Sequence, residues 1–232
     1  MPSSTESDVR RIEEEFWIKC NIPNCVGAID GKHVRIRAPE KSESLFFNYK
    51  FFFSIVLLPI VDANCKFISD DVGAYGKESD NGIFHKSAMG KKIATKEFNI
   101  PPSKCLPGSD VILPPFLIGD EAFALSDCLM KPYSTRVAAS HRDKQIYNYR
   151  LCRARRVSEN VFGLLSQVFK VFYCPIVVAP EVDDDLVLSA CCLHNLLRDG
   201  YLEENGIPFY SYSFNEATSQ NNMQAFLVLE DF

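Results

Sequence analysis

The sequence predicts an α/β domain, a mixed sheet flanked by helices, and three observations carry that prediction. Two short apolar strands, Val26-Gly27-Ala28-Ile29 and Phe116-Leu117-Ile118, each run on to an aspartate. A strand that is apolar at successive positions is covered on both faces, as central strands of layered α/β sheets are. Two further strand-like runs, 51–61 and 65–72, flank Asp62-Ala63-Asn64, whose turn-favouring side chains predict an antiparallel hairpin. Finally, apolar residues recur at spacings of three and four in several stretches, which supplies helices to cover the sheet.

In chain order, Val9, Ile12, Phe16 and Cys20 place a helix over 8–20, and Asn21-Ile22-Pro23-Asn24 stops it. A strand over 26–36 follows, carrying Asp30 at the end of its apolar core. After the 51–61 and 65–72 hairpin, Ser79 and Asp80 read as a helix start, with Ile83, Phe84 and Met89 on its apolar side. The segment 100–115 is proline-rich and holds a Pro107-Gly108 turn, so it reads as a loop delivering the chain to Phe116. A long helix is expected over 143–170, with Val157, Val161, Leu164, Leu165 and Val168 along one side. A last helix over 184–198 is apolar through Leu186, Val187, Ala190, Leu193 and Leu197, and Gly200 is expected to stop it. The organisation is thus a helical lead-in over 1–24, one domain over 25–200, and a polar tail over 201–232 expected to be poorly ordered.

A chain of 232 residues with 47% hydrophobic content can bury one substantial core. Its longest apolar runs, 51–61 and 168–179, are interrupted and fall short of the roughly 20 residues of a membrane span. The first residues lack the basic start and apolar stretch of a secretory signal, so the expected location is the nucleus or the cytosol. Nine cysteines without a Cys-x-x-Cys pair read as reduced thiols, and Cys20 with Cys25 finds no second pair for structural zinc. The net charge of −5 argues against tight unaided binding to a polyanion. Locally the balance reverses: Lys131, Arg136, Arg142, Lys144, Arg150, Arg153, Arg155 and Arg156 face only Asp143 between residues 131 and 156. That stretch suits anions.

Asp30 and Asp120 each end an apolar strand, and the long helix presents Glu159 among basic neighbours. Ligands bind beyond the carboxyl ends of strands in such sheets, so the aspartates converge there if their strands are neighbours. Gathered carboxylates repel one another unless cations hold them, and hard oxygen donors select magnesium or manganese over zinc. Two such ions ~4 Å apart would clamp an in-line phosphoryl displacement, which is phosphodiester chemistry. Arg155 lies four residues before Glu159 on the same helix face, where it could orient the carboxylate or hold a phosphate. Arg150, Arg153 and Arg156 extend the candidate DNA-binding surface, although a merely solvated helix face explains the same charges. Other polar residues have simpler readings: His33 as a hydrogen-bonded strand-end histidine, His194 as core or capping, and Asp70 and Asp71 as turn residues. Glu121 is expected to point away from Asp120, and Asp183 to Asp185 to form a charged helix start.

Four segments in order resemble the motifs of the PIF/Harbinger transposases and the nucleases derived from them. They are Val26-Gly27-Ala28-Ile29-Asp30-Gly31-Lys32-His33-Val34, Gly119-Asp120-Glu121-Ala122-Phe123, the 149–163 stretch with Arg155 and Glu159, and Cys192-Leu193-His194-Asn195-Leu196-Leu197-Arg198. The resemblance covers about residues 10 to 200. It implies an RNase H-like fold with a DDE catalytic core, and by position its triad falls on Asp30, Asp120 and Glu159. Asp80 is a rival or accessory metal ligand, ranked behind Asp120 because Asp120 ends a buried strand whereas a helix cap explains Asp80. The resemblance further implies magnesium or manganese as cofactor, DNA as substrate, and a separate Myb-like DNA-binding partner. Relatives of this type carry a helical region ahead of the catalytic domain, of which only the last helix is expected here. An inactive nuclear module that binds DNA or protein is the alternative, and a phosphohydrolase ranks last because no nucleotide-binding glycine loop is present.

Overall fold

The computed structural model describes residues 5–39, 44–178 and 180–205. Helix α1 (Glu6–Cys20) opens with a capping box in which Thr5 and Asp8 satisfy each other's backbone, and Asn21 ends it in a left-handed conformation. The strand expected over 26–36 is broken at Asp30 and Gly31 into β1 (Cys25–Ile29) and β2 (Lys32–Arg35). Both pair antiparallel with β3 (Ser54–Val61), which pairs on its other side with β4 (Phe67–Tyr75). The expected hairpin is therefore present, although β3 begins three residues after Phe51 and β4 extends to Tyr75. Asp70 and Asp71 lie inside β4 opposite Pro59 and Leu58, so they are strand residues and not the turn residues the sequence suggested.

Ser79 caps α2 (Asp80–Lys86), and Ser87 ends it and caps α3 (Ala88–Ala94), splitting what the periodicity presents as one helix. The proline-rich segment holds a small hairpin of β5 (Lys104–Cys105) and β6 (Ile112–Leu113). Strand β7 (Phe116–Ile118) then runs parallel to β1, and β8 (Leu129–Met130) parallel to β7. The short α4 (Thr135–Ala138) leads into α5 (Arg142–Val168), a single 27-residue helix, followed by a 3-10 turn (Lys170–Tyr173). Helix α6 (Pro180–Asn205) runs through Gly200 and so is longer than the 184–198 span expected. Of the 201–232 tail, residues 206–232 lie outside the described residues.

The main sheet thus places β4, β3, β1, β7 and β8 side by side, with β2 continuing β1 along β3. Alternation along β3 divides its side chains between two cores: Ile55, Leu57 and Val61 in one, Val56, Leu58 and Ile60 in the other. The first core is closed by α1, α5 and α6 through residues such as Phe16, Leu151, Val161 and Val187, and the second by Ile83, Phe84, Met89 and Ile93 of α2 and α3. Helices cover both faces, which is why the central strands are apolar without alternation.

Helix α6 is held by polar docking as well as by its apolar stripe. The Asn195 side-chain amide donates to Phe67 O and accepts from Phe67 N, both at 2.8 Å, acting as a one-residue extension of the sheet. His194 Nε2 donates to Cys65 O at 2.8 Å, and Arg198 donates to Asn64 O through two nitrogens. The Cys192 to Arg198 motif therefore clamps the β3–β4 turn, as the structural reading of His194 expected. All nine cysteines are free. Among the described residues no helix is long and apolar enough to cross a membrane.

Candidate active site

Strand register brings the two sequence-predicted aspartates together. In the parallel pairing of β1 with β7, Ala28 is the partner of Ile118. Asp30 and Asp120 each lie two residues beyond that pair, so they leave adjacent strands, spaced ~4.8 Å apart, at the same level and on the same face. Ala28 and Ile118 belong to the core under α5, and the aspartates two positions on share that side. Accordingly, Ser158 of α5, fully buried, has its hydroxyl 3.4 Å from Asp30 Oδ2 while donating to Arg155 O at 2.7 Å. The Asp120 carboxylate accepts from Ala122 N at 2.9 Å, which fixes its turn.

Asp80 is the third carboxylate of this inner group, and the sequence reading of it as a helix cap is corrected. Ser79 provides the cap by accepting from Gly82 N, which leaves the Asp80 carboxylate free of that role. Its position is read from Gly31: a β-carbon there would stand 2.1 Å from Asp80 Oδ1 and 2.4 Å from Cγ. The Asp80 carboxylate thus occupies the space a side chain at residue 31 would need, beside Asp30. Asn81, next to it, accepts from Ala124 N at 2.8 Å and ties α2 to the turn after Asp120.

The electrostatics match this crowding. Burial lifts the Asp30 carboxyl from 3.8 to about 6, Arg155 opposes the shift, and Asp120, Asp80 and Glu159 add to it in that order. Burial, then Asp120, also pushes Asp80 up, against the pull of Lys50. Glu159 is the outermost of the four, with its side chain 58% exposed and an oxygen 3.5 Å from Arg155 Nη2. Among the described residues no three acidic, histidine or cysteine side chains are placed to grip one ion directly, Asp30, Asp80 and Asp120 included. The donor set nevertheless fits a hard divalent cation: several carboxylates, partly desolvated and mutually repelling, with one arginine as counter-charge.

The basic face is narrower than the sequence suggested. Arg150 is buried, so it does not meet a DNA backbone, and Arg153 donates to Lys19 O at the end of α1. Of the four candidate arginines, Arg156 is exposed and Arg153 and Arg155 are partly exposed, Arg153 tied to α1 and Arg155 beside Glu159. His33 bonds Ser54 Oγ through Nδ1 at 2.9 Å and packs edge-on against Tyr49 and Phe52, in keeping with a structural role. Beside it lies a cleft of about 180 Å³ lined by Lys32, His33, Arg35, Phe52 and Phe162 among others. Sequence reasoning gave no role to Ser158 or to residues 45–50, and it began the strand at Phe51, three residues before β3.

Residues 29–195 match the family model described as DDE superfamily endonuclease. That span is most of the chain, and the protein belongs to this family. Similar curated proteins include "Putative nuclease HARBI1" of Xenopus laevis, 23% identical over 198 residues, covering 82% of this chain and 51% of that protein. The Bos taurus protein of the same name is 24% identical over 195 residues, with 82% and 51% coverage. "Protein ALP1-like" of Arabidopsis thaliana is 24% identical over 201 residues, with 84% and 48% coverage. The chain spans about half the length of these relatives. No solved structure matches it. The resemblance to Harbinger-derived nucleases stands on these findings, and family and relatives together support a nuclease-type function.

Proposed function

We propose that this chain is a metal-dependent DNA endonuclease of RNase H-like fold, with Asp30, Asp120 and Glu159 as the metal-binding triad and Asp80 as an accessory ligand. The observation that carries the reading is the register of β1 and β7, which sets Asp30 abreast of Asp120 beneath α5, where Ser158, the neighbour of Glu159, reaches Asp30. The sheet order β4-β3-β1-β7-β8, antiparallel in its first three strands and parallel in its last three, supports the RNase H-like assignment. Magnesium or manganese held by these carboxylates would activate water and neutralise the scissile phosphate. The chain's own residues do the positioning. Ser158 and the buried strand ends fix Asp30, the Ala122 amide fixes Asp120, and Arg155 holds Glu159 and can exchange it for a phosphate oxygen. Arg156 adds an exposed cation for the DNA backbone.

One observation favours a second reading, an inactive domain retained for binding: Glu159 is turned out against Arg155, and no three ligands converge among the described residues. Magnesium and manganese titration by calorimetry on wild type and Asp30→Asn, with nicking of supercoiled plasmid on the same samples, separates the two. Binding and nicking by wild type, both lost in Asp30→Asn, are the expected result. A wild type that binds neither ion overturns the nuclease reading in favour of the binding module.

A further inference from the structure

The segment leading into β3 carries two large aromatic side chains that touch the fold at their edges, Tyr49 against His33 and Phe51 against Phe47, and leave most of their surface in solvent. Tyr49 is 74% and Phe51 84% exposed, with Lys50 between them. The turn is nonetheless firmly built. Asn48 is buried, accepts from Lys50 N at 2.9 Å and Phe52 N at 3.3 Å, and donates to Ser54 Oγ at 2.9 Å. Its backbone closes the hairpin through Asn48 N to Phe52 O and Phe51 N to Asn48 O. Phe51 sits at φ 63°, a left-handed conformation that a β-carbon disfavours and that glycine would adopt freely. A bulky ring is therefore held out into solvent by a fixed turn in a conformation that disfavours it.

The surroundings of this turn are cationic and adjoin the carboxylates. The segment leans on residues 76 and 77, which lead to Asp80, through Gly76 N to Ser54 O and Lys77 N to Leu45 O, and Tyr49 packs at 5.5 Å between ring centroids on His33, three residues after Asp30. At the foot of the turn the Arg35 guanidinium lies 4.4 Å above the Phe52 ring, and Lys32 lies 5.7 Å from that of Phe162. Exposed rings interleaved with cations form the surface that single strands and unpaired bases use, because bases stack on rings while phosphates meet the charges. A protein partner would exploit the rings but would give no reason for lysine and arginine side chains to accompany them.

We propose that the 48–52 turn is a base-stacking element in which Tyr49 and Phe51 take nucleobases unstacked from a DNA strand whose phosphates lie along Lys50, Lys32 and Arg35. The inference rests on the nuclease reading, since it places that strand at Asp30, Asp80 and Asp120. It also defines the substrate as DNA that is single-stranded or locally unpaired where it meets the site.

Fluorescence anisotropy, in EDTA and in calcium, with a labelled single strand, the matching duplex, and a duplex containing a short unpaired bubble tests this without requiring turnover. Wild type is expected to prefer the single strand and the bubble over the duplex. Tyr49→Ala/Phe51→Ala should lose at least tenfold in affinity for the first two, given about fivefold to a hundredfold per stacked base, with duplex affinity unchanged. Phe51→Gly relaxes the turn and should melt no lower than wild type yet bind as weakly as Phe51→Ala, whereas Phe51→Tyr should bind as wild type. Wild type that binds none of the three DNAs, or ring-deleted variants that bind all of them like wild type, overturns the proposal and leaves a protein-docking role for the rings. The two readings fail separately: stacking without any metal-dependent nicking removes the nuclease, and nicking indifferent to both rings removes the stacking element.

Discussion

Gly31→Ala is the sharpest probe of how the carboxylates are assembled. The added methyl would stand 2.1 Å from Asp80 Oδ1, 2.4 Å from Cγ and 2.6 Å from Oδ2, where ordinary contact begins at 3.4 Å. The Asp80 carboxylate must therefore retreat by about 1.3 Å, the difference between 3.4 and 2.1 Å. A side-chain end at the first turn of α2 can make that move without dislodging the helix, whose cap is Ser79 and whose core contacts are Ile83 and Phe84. Residue 31 is not in the left-handed region, so alanine adds no backbone strain there and slightly stiffens the unfolded chain, for a net stability change within about 1 kcal/mol. Misplacing a catalytic group by about 1 Å costs on the order of 10²-fold in rate. Manganese-supported plasmid nicking and thermal melting of wild type, Gly31→Ala and Asp80→Asn make the comparison. Both variants should lose about two orders of magnitude in nicking while melting within a few degrees of wild type. Full nicking by a folded Gly31→Ala protein would refute the placement of Asp80 in the working site.

Three other perturbations follow from the same geometry. Relieving the like-charge crowding with Asp30→Asn should raise the melting midpoint in EDTA by a few degrees, on the order of 1 kcal/mol, while abolishing nicking; a lower midpoint would mean the carboxylates are not in mutual repulsion. Burial lifts the Asp62 carboxyl from 3.8 to about 6, so its folded pKa exceeds its unfolded one, and the favourable contribution of its protonated form is lost as pH rises through about 6. Asp62→Asn keeps the oxygen that accepts from Asn64 N and Lys66 N, so it should be more stable than wild type by up to about 3 kcal/mol at pH 8, with the gap closing below about pH 3, read by urea denaturation. Asn195→Ala removes both 2.8 Å hydrogen bonds to Phe67 and should cost about 2 to 3 kcal/mol by the same assay, with metal affinity unaffected; a cost under 0.5 kcal/mol would show that water replaces the amide.

How far these arrangements are legible in the sequence depends on the kind of information each needs. Strand ends at Asp30 and Asp120 are visible because apolar runs stop there, and the hairpin is visible because Asp62 to Asn64 favours a turn. Helix limits are less so. Periodicity cannot tell that Ser87 breaks α2 from α3, since its caps are local hydrogen bonds, nor that α6 tolerates Gly200, since a weak residue inside a 26-residue helix is carried by its neighbours. Charge is legible as a sum but not as a direction. The basic run places Arg150 and Arg153 on one list with Arg155 and Arg156, yet 3.6-residue geometry buries Arg150 and points Arg153 at the end of α1. The 48–52 turn escaped notice for the opposite reason: Phe51 reads as the first residue of an apolar strand, and only the fold shows that its side chain is 84% exposed.

Register is the decisive quantity that sequence does not hold. Had β7 paired one residue further along β1, Asp120 would leave the opposite face of the sheet and meet α2 and α3 in place of α5. What fixes the register is remote from the carboxylates: Phe116 N bonds Asn24 O, and Asn24 Nδ2 bonds Leu113 O. The clamp of α6 on the turn after Asp62 likewise lies beyond the end of β1 opposite Asp30. Stability is therefore concentrated where the chain enters β1 and leaves β3, and the strain of gathered carboxylates is carried at the other end. Disturbing the Asn24 anchor should then weaken the site by moving Asp120, with no contact to any carboxylate. Asn24→Ala, folded but unable to bind manganese, would separate register from chemistry; unchanged manganese affinity would show that β7 is held by its apolar contacts alone.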